Sequence, residues 1–230
     1  MACKRSSVRS RLAPVLRSPS SSGLGHRPFT AGTGVRVPLG TPTYLSGNWH
    51  IQDPLSQQSI IPMDFFSQST AQVAKQLLGG LLLVRGKLFC VGETEAYVGE
   101  SDPACHASCG PTQRNSVMYS SAGIAYVYLI YGMHHCLNVV TEAPGFPSAV
   151  LIRGGWLWQS GSWVSCFGLG RLTKALGICR LDNKRTFQQN DDWMWYDRST
   201  VPPFQCTPRI GIKVGLQHLW RYVVSDSWHP

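Results

Sequence analysis

The chain lacks any apolar run approaching the ~20 residues that a membrane-spanning helix needs, so a protein outside the membrane is expected. Its N-terminus lacks the continuous apolar stretch of a secretory signal. No C-x-x-C pair occurs among its eight cysteines, which are scattered along the chain. That argues against a disulfide scaffold and removes the strongest zinc signature. Reduced thiols in an intracellular protein are the expectation. The nearest approach to a metal set is Cys105-His106-x-x-Cys109 with His134-His135-Cys136. Without a paired spacing it is read as no metal site, and no cofactor is implied. Internal repeats are absent, and no βαβ rhythm is present.

Acidic residues are missing from residues 1–40, which hold Lys4, Arg5, Arg9, Arg11, Arg17, Arg27 and Arg36. These seven supply most of the formal net charge of +9. Residues 61–230 hold 14 Lys and Arg against 11 Asp and Glu, a net of only +3. Residues 1–60, rich in Ser, Pro, Gly and Arg, are expected to form a disordered basic tail or targeting segment, nuclear or organellar. The folded part, expected over 61–230, is mildly basic, which suits a duplex-DNA enzyme making a few phosphate contacts.

What is present reads mostly as strand. Ser69 and Gln72 have the spacing of a capping box ahead of a short amphipathic helix over 71–78, stopped by Gly79-Gly80. Leu81–Val84 and Leu88–Tyr97 flank an Arg85-Gly86-Lys87 turn as a hairpin. A polar loop follows over 99–118. Tyr126–Ile130 and Cys136–Val140 form a second hairpin around Tyr131-Gly132-Met133-His134. Ala149–Arg153 is a further strand, Arg171–Leu176 a short helix stopped by Gly177, and 209–212 and 222–224 closing strands. The expected fold is a single α+β domain, with a mixed, mostly antiparallel sheet, short helices and a protruding hairpin.

Several of these elements carry chemistry. In an extended strand Glu93, Glu95 and Tyr97 share one face. Two carboxylates beside an aromatic make a water-activating site. A solvated edge strand fits the spacing equally well. His106 follows in the polar loop, as a ligand to phosphate or water or as a plain surface histidine. Tyr126 and Tyr128 share a strand face, and Tyr131 sits at the turn, where an apolar wedge would enter a base stack. Ordinary strand packing also explains these tyrosines. Asn138, polar within Leu-Asn-Val-Val, needs a partner or a ligand. Arg153, ending an apolar strand, needs a carboxylate or a phosphate.

Gly92–Tyr97, His106, Arg114-Asn115-x-x-Met118-Tyr119, Tyr126–Asn138 and Val150-Leu151-Ile152-Arg153 occur together in this order, followed by 170–177 and 208–212. This combination resembles the alkyladenine (3-methyladenine, methylpurine) DNA glycosylases across most of residues 62–224. The resemblance implies a monofunctional enzyme that flips alkylated or deaminated purines out of double-stranded DNA, hydrolyses the N-glycosidic bond and starts base excision repair. It implies Glu95 as general base, with Arg153 and His106 holding the water or a phosphate. Tyr97, His106 and Tyr128 would stack around the base, and Asn138 would screen purines. Tyr131 would fill the vacated stack, with Met133 and Arg171 on the DNA backbone. The protein is then expected to act as a monomer on damaged duplex DNA in the nucleus, or in a mitochondrion or other organelle.

One stretch departs from that pattern. Residues 154–167 carry no charge and hold Trp156, Trp158 and Trp163, where the family has a longer charged segment. They read as an atypical Gly/Ser-rich loop presenting an apolar patch. His134 also stands where the family often has an aromatic. The rival reading is a catalytically impaired, splice-variant-like DNA-binding protein of the same fold, and a third is a zinc-dependent hydrolase using the Cys/His loop.

Overall fold

The computed structural model describes residues 54–198 and 200–230. Most of the expected basic tail therefore lies outside the described residues. Packed structure nevertheless begins before residue 61. Leu55 lies against the core, the Asp197 N–H donates to the Ser59 carbonyl, and Ile60 bridges Tyr196.

Two long strands, β2 (Lys87–Val98) and β5 (Ser148–Gln159), pair antiparallel and form a spine. The sheet forks along it. At one end β1 (Leu81–Val84) joins β2 to β7 (Trp193–Tyr196), and β6 (Ser162–Ser165) pairs with the C-terminal end of β5. At the other end β9 (Arg221–Val224) pairs with Glu93–Glu95 of β2 and with β8 (Phe204–Thr207). There β4 (His134–Val140) joins the start of β5 to β3 (Ala125–Ile130). Every pairing among the described strands is antiparallel, and with α1 (Thr70–Gln76) and α2 (Leu169–Leu176) the domain is α+β. Among the described residues no helix is long and apolar enough to cross a membrane.

The fork coincides with a register slip. Val91 faces Gly155, Glu93 faces Gly154 and Thr94 faces Ile152, so Gly92 and Arg153 have no register partner. Such a bulge bends the strands and re-aims side chains. Glycine permits the close approach. A Cβ on Gly155 would lie 1.9 Å from the Cys90 carbonyl oxygen, and one on Gly92 would meet the Trp156 and Phe167 rings.

Period-two alternation then separates two faces. Thr94, Ala96, Val150, Ile152, Leu137, Val139, Ala125 and Val127 turn to one side, where Val73, Ala74 and Leu77 of the α1 region and Leu172 and Leu176 of α2 complete the main core. Glu95, Leu151, Asn138 and Tyr126 form one cross-strand row on the opposite face. The loop over 99–118 is less polar in effect than its composition suggests. It buries Cys105, Ala107, Val117 and Met118 against that second face.

Four expectations need correction. The capping box at Ser69 does not form: the Ser69 side chain makes no capping hydrogen bond, the Gln72 N–H goes to the Ser69 carbonyl, and Glu142 accepts from the Thr70 N–H and hydroxyl. Residues 209–212 are not a strand. The strand lies earlier, at Phe204–Thr207, Pro208 cannot donate to a ladder, and the Ile210 N–H is taken by Glu95. The β7 strand was not anticipated, since its four residues show no alternation. Residues 154–167 are not a loop: they extend β5 and turn into β6. Trp156 is buried against Phe167 and Trp228, while Trp158 and Trp163 cover each other at 5.1 Å across the hairpin. Gly155→Ala should therefore lower stability by about 3 kcal/mol and the melting temperature by about 6–12 °C, as measured by thermal unfolding.

Candidate active site

On the second face a pocket of about 390 Å³ opens between the sheet and two loops. Its sheet wall is Tyr97 of β2, Ala149, Leu151 and Arg153 of β5, Cys136 and Asn138 of β4, and Tyr126 and Tyr128 of β3. All are alternate residues on one face of their strands. Three rings gather at one side. His106 lies 4.7 Å from Tyr128 edge-on, and Tyr126 lies 5.0 Å from Tyr128. A hydrogen bond of 3.0 Å joins His106 Nδ1 to the Tyr126 hydroxyl. The Arg114 guanidinium lies 5.0 Å over Tyr128. His106 is held below the usual imidazole pKa, first by loss of water and then by the Arg114 charge. Asn138 Nδ2 donates to the Tyr126 carbonyl at 2.9 Å, so the partner its strand position demanded is backbone.

Glu95 is fully buried and lies behind this wall rather than on it. Its Oε2 accepts from the Tyr97 hydroxyl at 2.8 Å and lies 3.3 Å from Arg153 Nη1, while its Oε1 accepts from the Ile210 N–H at 2.7 Å. Burial raises its pKa above the ordinary carboxylate value, against the opposing pull of Arg153 and of these two donors. Arg153 reaches Glu93 Oε1 through Nε at 2.8 Å, and Arg221 Nε reaches the same oxygen at 2.6 Å. The acids are thus not on a solvated edge. Both are enclosed and paired, as buried charges require.

A second ion pair fixes the loops. Arg209 and Asp102, both buried, form a two-pronged bridge at 2.5 and 2.7 Å, and Arg209 Nη1 also donates to the Ala96 carbonyl at 2.9 Å. The Arg209 guanidinium lies 4.7 Å over the Tyr97 ring. This staple sets Ile210, Gly211 and Ile212 against the pocket and presents the Ile210 N–H to Glu95. Neither Asp102 nor Arg209 stood out in the sequence, because one lies in a polar loop and the other beside a proline. Their partnership spans 107 residues.

Tyr131 tops the β3–β4 hairpin at 84% exposure and also lines the pocket. Both Tyr131 and Gly132 have positive φ, and the Met133 N–H closes the turn on the Ile130 carbonyl. Met133 is exposed beside them. Arg171 is exposed on α2, whose Leu169 reaches the pocket rim. His106, Tyr97, Tyr128, Asn138, Arg153 and Tyr131 therefore surround one cavity, Glu95 sits just behind it, and Met133 and Arg171 lie outside it. Among the described residues no group of three or more His, Cys, Asp and Glu is placed to hold a metal ion.

Residues 64–228 match the family model for methylpurine-DNA glycosylase (MPG). The chain belongs to the methylpurine-DNA glycosylase family. It is 46% identical over 164 residues to a Sodalis glossinidius protein named "Putative 3-methyladenine DNA glycosylase", covering 71% of this chain and 96% of that one. Proteins of the same name match at 45% over 166 residues in Rickettsia africae, covering 72% of this chain and 90% of theirs, and at 44% over 168 residues in Wolbachia pipientis wMel, covering 73% and 93%. The glycosylase match spans the atypical residues 154–167, where this chain builds the tryptophan hairpin.

Removing the staple should loosen the site. Arg209→Ala leaves Asp102 buried without its cation, which costs about 3–5 kcal/mol. Urea unfolding should show that loss, and a double change to apolar residues of similar size at 102 and 209 should recover most of it.

Proposed function

We propose that the protein is a monofunctional DNA glycosylase that excises alkylated or deaminated purines from double-stranded DNA. The observation that carries this reading is the aromatic pocket backed by a buried, paired carboxylate. A nucleotide rotated out of the duplex finds flat faces at Tyr97, His106 and Tyr128 on which to stack. A cationic methylpurine gains further from those faces. Tyr131, exposed at the hairpin tip, fills the space the base leaves, and Asn138 screens the purine edge. Met133 and Arg171 lie along the DNA backbone.

Water enters at the seam between Tyr97 and Arg153, where Glu95 Oε2 lies. Glu95 takes a proton from the water as its oxygen bonds to the anomeric carbon. The electrons of the breaking C–N bond leave with the purine, which departs neutral if it was cationic and otherwise takes a proton from solvent, and an abasic site remains. Arg153 holds the water and the adjoining phosphate, and His106 supports both from the loop. Among the described residues no lysine lines the pocket, which fits a reaction that ends without a Schiff base and without strand cleavage.

A duplex bearing one hypoxanthine, followed by alkaline cleavage of the product, tests the reading directly. Wild type should release the base. Glu95→Gln should lose ~10²–10⁴-fold or more in rate while still binding the lesion duplex. Near-normal turnover in that variant would move the base elsewhere. Glu95 must be ionised to act, so the rate should fall as pH drops through its pKa. Because burial raises that pKa, the fall should begin at a higher pH than for a free carboxylate. Tyr131→Ala should weaken binding to lesion duplex more than to the same lesion in single strands, since only a duplex leaves a gap to fill.

A further inference from the structure

Glu93 shares its strand face with Glu95 and is buried, yet it does not line the pocket. One of its oxygens, Oε1, carries two guanidinium contacts, from Arg153 Nε and Arg221 Nε. Arg153 sits at the register slip, so no cross-strand partner sets its direction. Its Nε is held by Glu93, and its Nη1 lies 3.3 Å from Glu95 Oε2. Were Glu93 neutral, Arg153 would turn toward the remaining buried carboxylate and grip it with two nitrogens, the preferred geometry of an arginine–carboxylate pair. A carboxylate so gripped is a weaker base, and the arginine would leave the pocket wall.

We propose that Glu93 is a positioning residue: it anchors Arg153 and Arg221 so that Arg153 touches Glu95 through one nitrogen and stays at the pocket wall. This rests on the glycosylase reading above. The charged and titratable groups around Glu95 are Glu93 and Tyr97 on its own strand, Arg153 on β5, Arg221 opposite it on β9, and Arg209 in the stapled loop, which also brings the Ile210 N–H. Glu93 is the neighbouring anion that raises the proton affinity of Glu95. Its neutralisation therefore lowers that affinity.

The test is single-turnover excision of hypoxanthine from a duplex across the acidic pH range, with thermal unfolding and lesion-duplex binding measured alongside. Glu93→Gln keeps an acceptor for Arg153 but no charge. It should weaken duplex binding by no more than the one phosphate contact of Arg153, lose roughly 10- to 100-fold in rate at neutral pH, and shift the acidic limb of its profile to lower pH. Glu93→Asp, which keeps the charge on a shorter arm, should lose rate with its acidic limb close to that of wild type. An unmoved limb in Glu93→Gln, with or without a lower melting temperature, overturns the proposal and leaves Glu93 a structural ion-pair partner. If Glu93→Gln fails to fold, Glu93→Asp decides: a wild-type rate in that variant overturns the proposal. A wild-type protein that excises nothing overturns the glycosylase reading itself and this inference with it.

Discussion

The antiparallel pairing of β2 with β5, and the slip within it, is the constraint on which the rest depends. Above the slip the spine carries β1, β7 and β6, and below it β9, β8, β4 and β3. At the slip backbone approaches backbone at Gly155, and aromatic rings close on Gly92 and Gly154, a closeness that side chains at these three positions would forbid. The space so created is occupied by the Trp156 and Phe167 rings. Those rings belong to the uncharged tryptophan hairpin, which returns to the spine through the Cys166 N–H on the Gly155 carbonyl and the Gly168 N–H on the Arg153 carbonyl. The hairpin thus supports the backbone of Arg153 directly. A segment whose composition suggested an interruption of the fold is part of what holds the site arginine in place.

Placing two carboxylates on the face of a central strand is costly unless each is paired. Here Glu93 and Glu95 meet Arg153 and Arg221, two charges against two. Pairing is complete for Glu93, whose one oxygen carries both guanidiniums. For Glu95 it is partial. Its hydrogen-bond donors are a phenol and a backbone amide, Arg153 adds an ion-pair contact at 3.3 Å, and loss of water still dominates its proton affinity. The difference suits the proposed general base. A carboxylate fully forked by arginine would be stable and inert, whereas one held by weaker donors keeps an appetite for protons. Burial and reactivity are reconciled by dividing one arginine between two acids.

The parts of the fold legible in the sequence were those governed by local alternation. The Glu93–Glu95–Tyr97 face, the Tyr126–Tyr128 face, the protruding hairpin and the stop at Gly177 follow from spacing two or from a single glycine. What was not legible depends on partners far away in the chain. Ser69 has the residues of a capping box, but its side chain makes no cap, and the first amide of the helix, at Thr70, is satisfied by the distant Glu142. Residues 209–212 have the composition of a strand, but their amide goes to Glu95 and their arginine to Asp102. The tryptophan segment reads as a loop because it is rich in glycine and serine. Its strand character comes from cross-hairpin contact of Trp158 with Trp163, which no local pattern announces. For the site, the residues around the pocket were visible one by one. That Glu95 lies behind the pocket wall, and that Glu93 rather than Glu95 takes the Nε of Arg153, required the bulge.

This geometry separates two tasks that a base-excising pocket must perform. The side proposed to meet a base is built from β3, β4 and the His106 loop, toward the edge of the sheet, where the three rings contact one another. The side that would do the chemistry is built from the spine itself, where β2 and β5 are enclosed by neighbours on both flanks. The two sides are joined through Tyr97, which faces the pocket, donates to Glu95 and lies under Arg209, and through Arg153, which lines the pocket and pairs with both acids. A substitution among the edge rings can therefore change which base is accepted while leaving the carboxylate pairing intact. A substitution in the spine disturbs the pairing first and the cavity only afterwards. In the proposed reaction, lesion preference is adjustable at the edge because the charges that break the bond are anchored where strand pairing is most extensive.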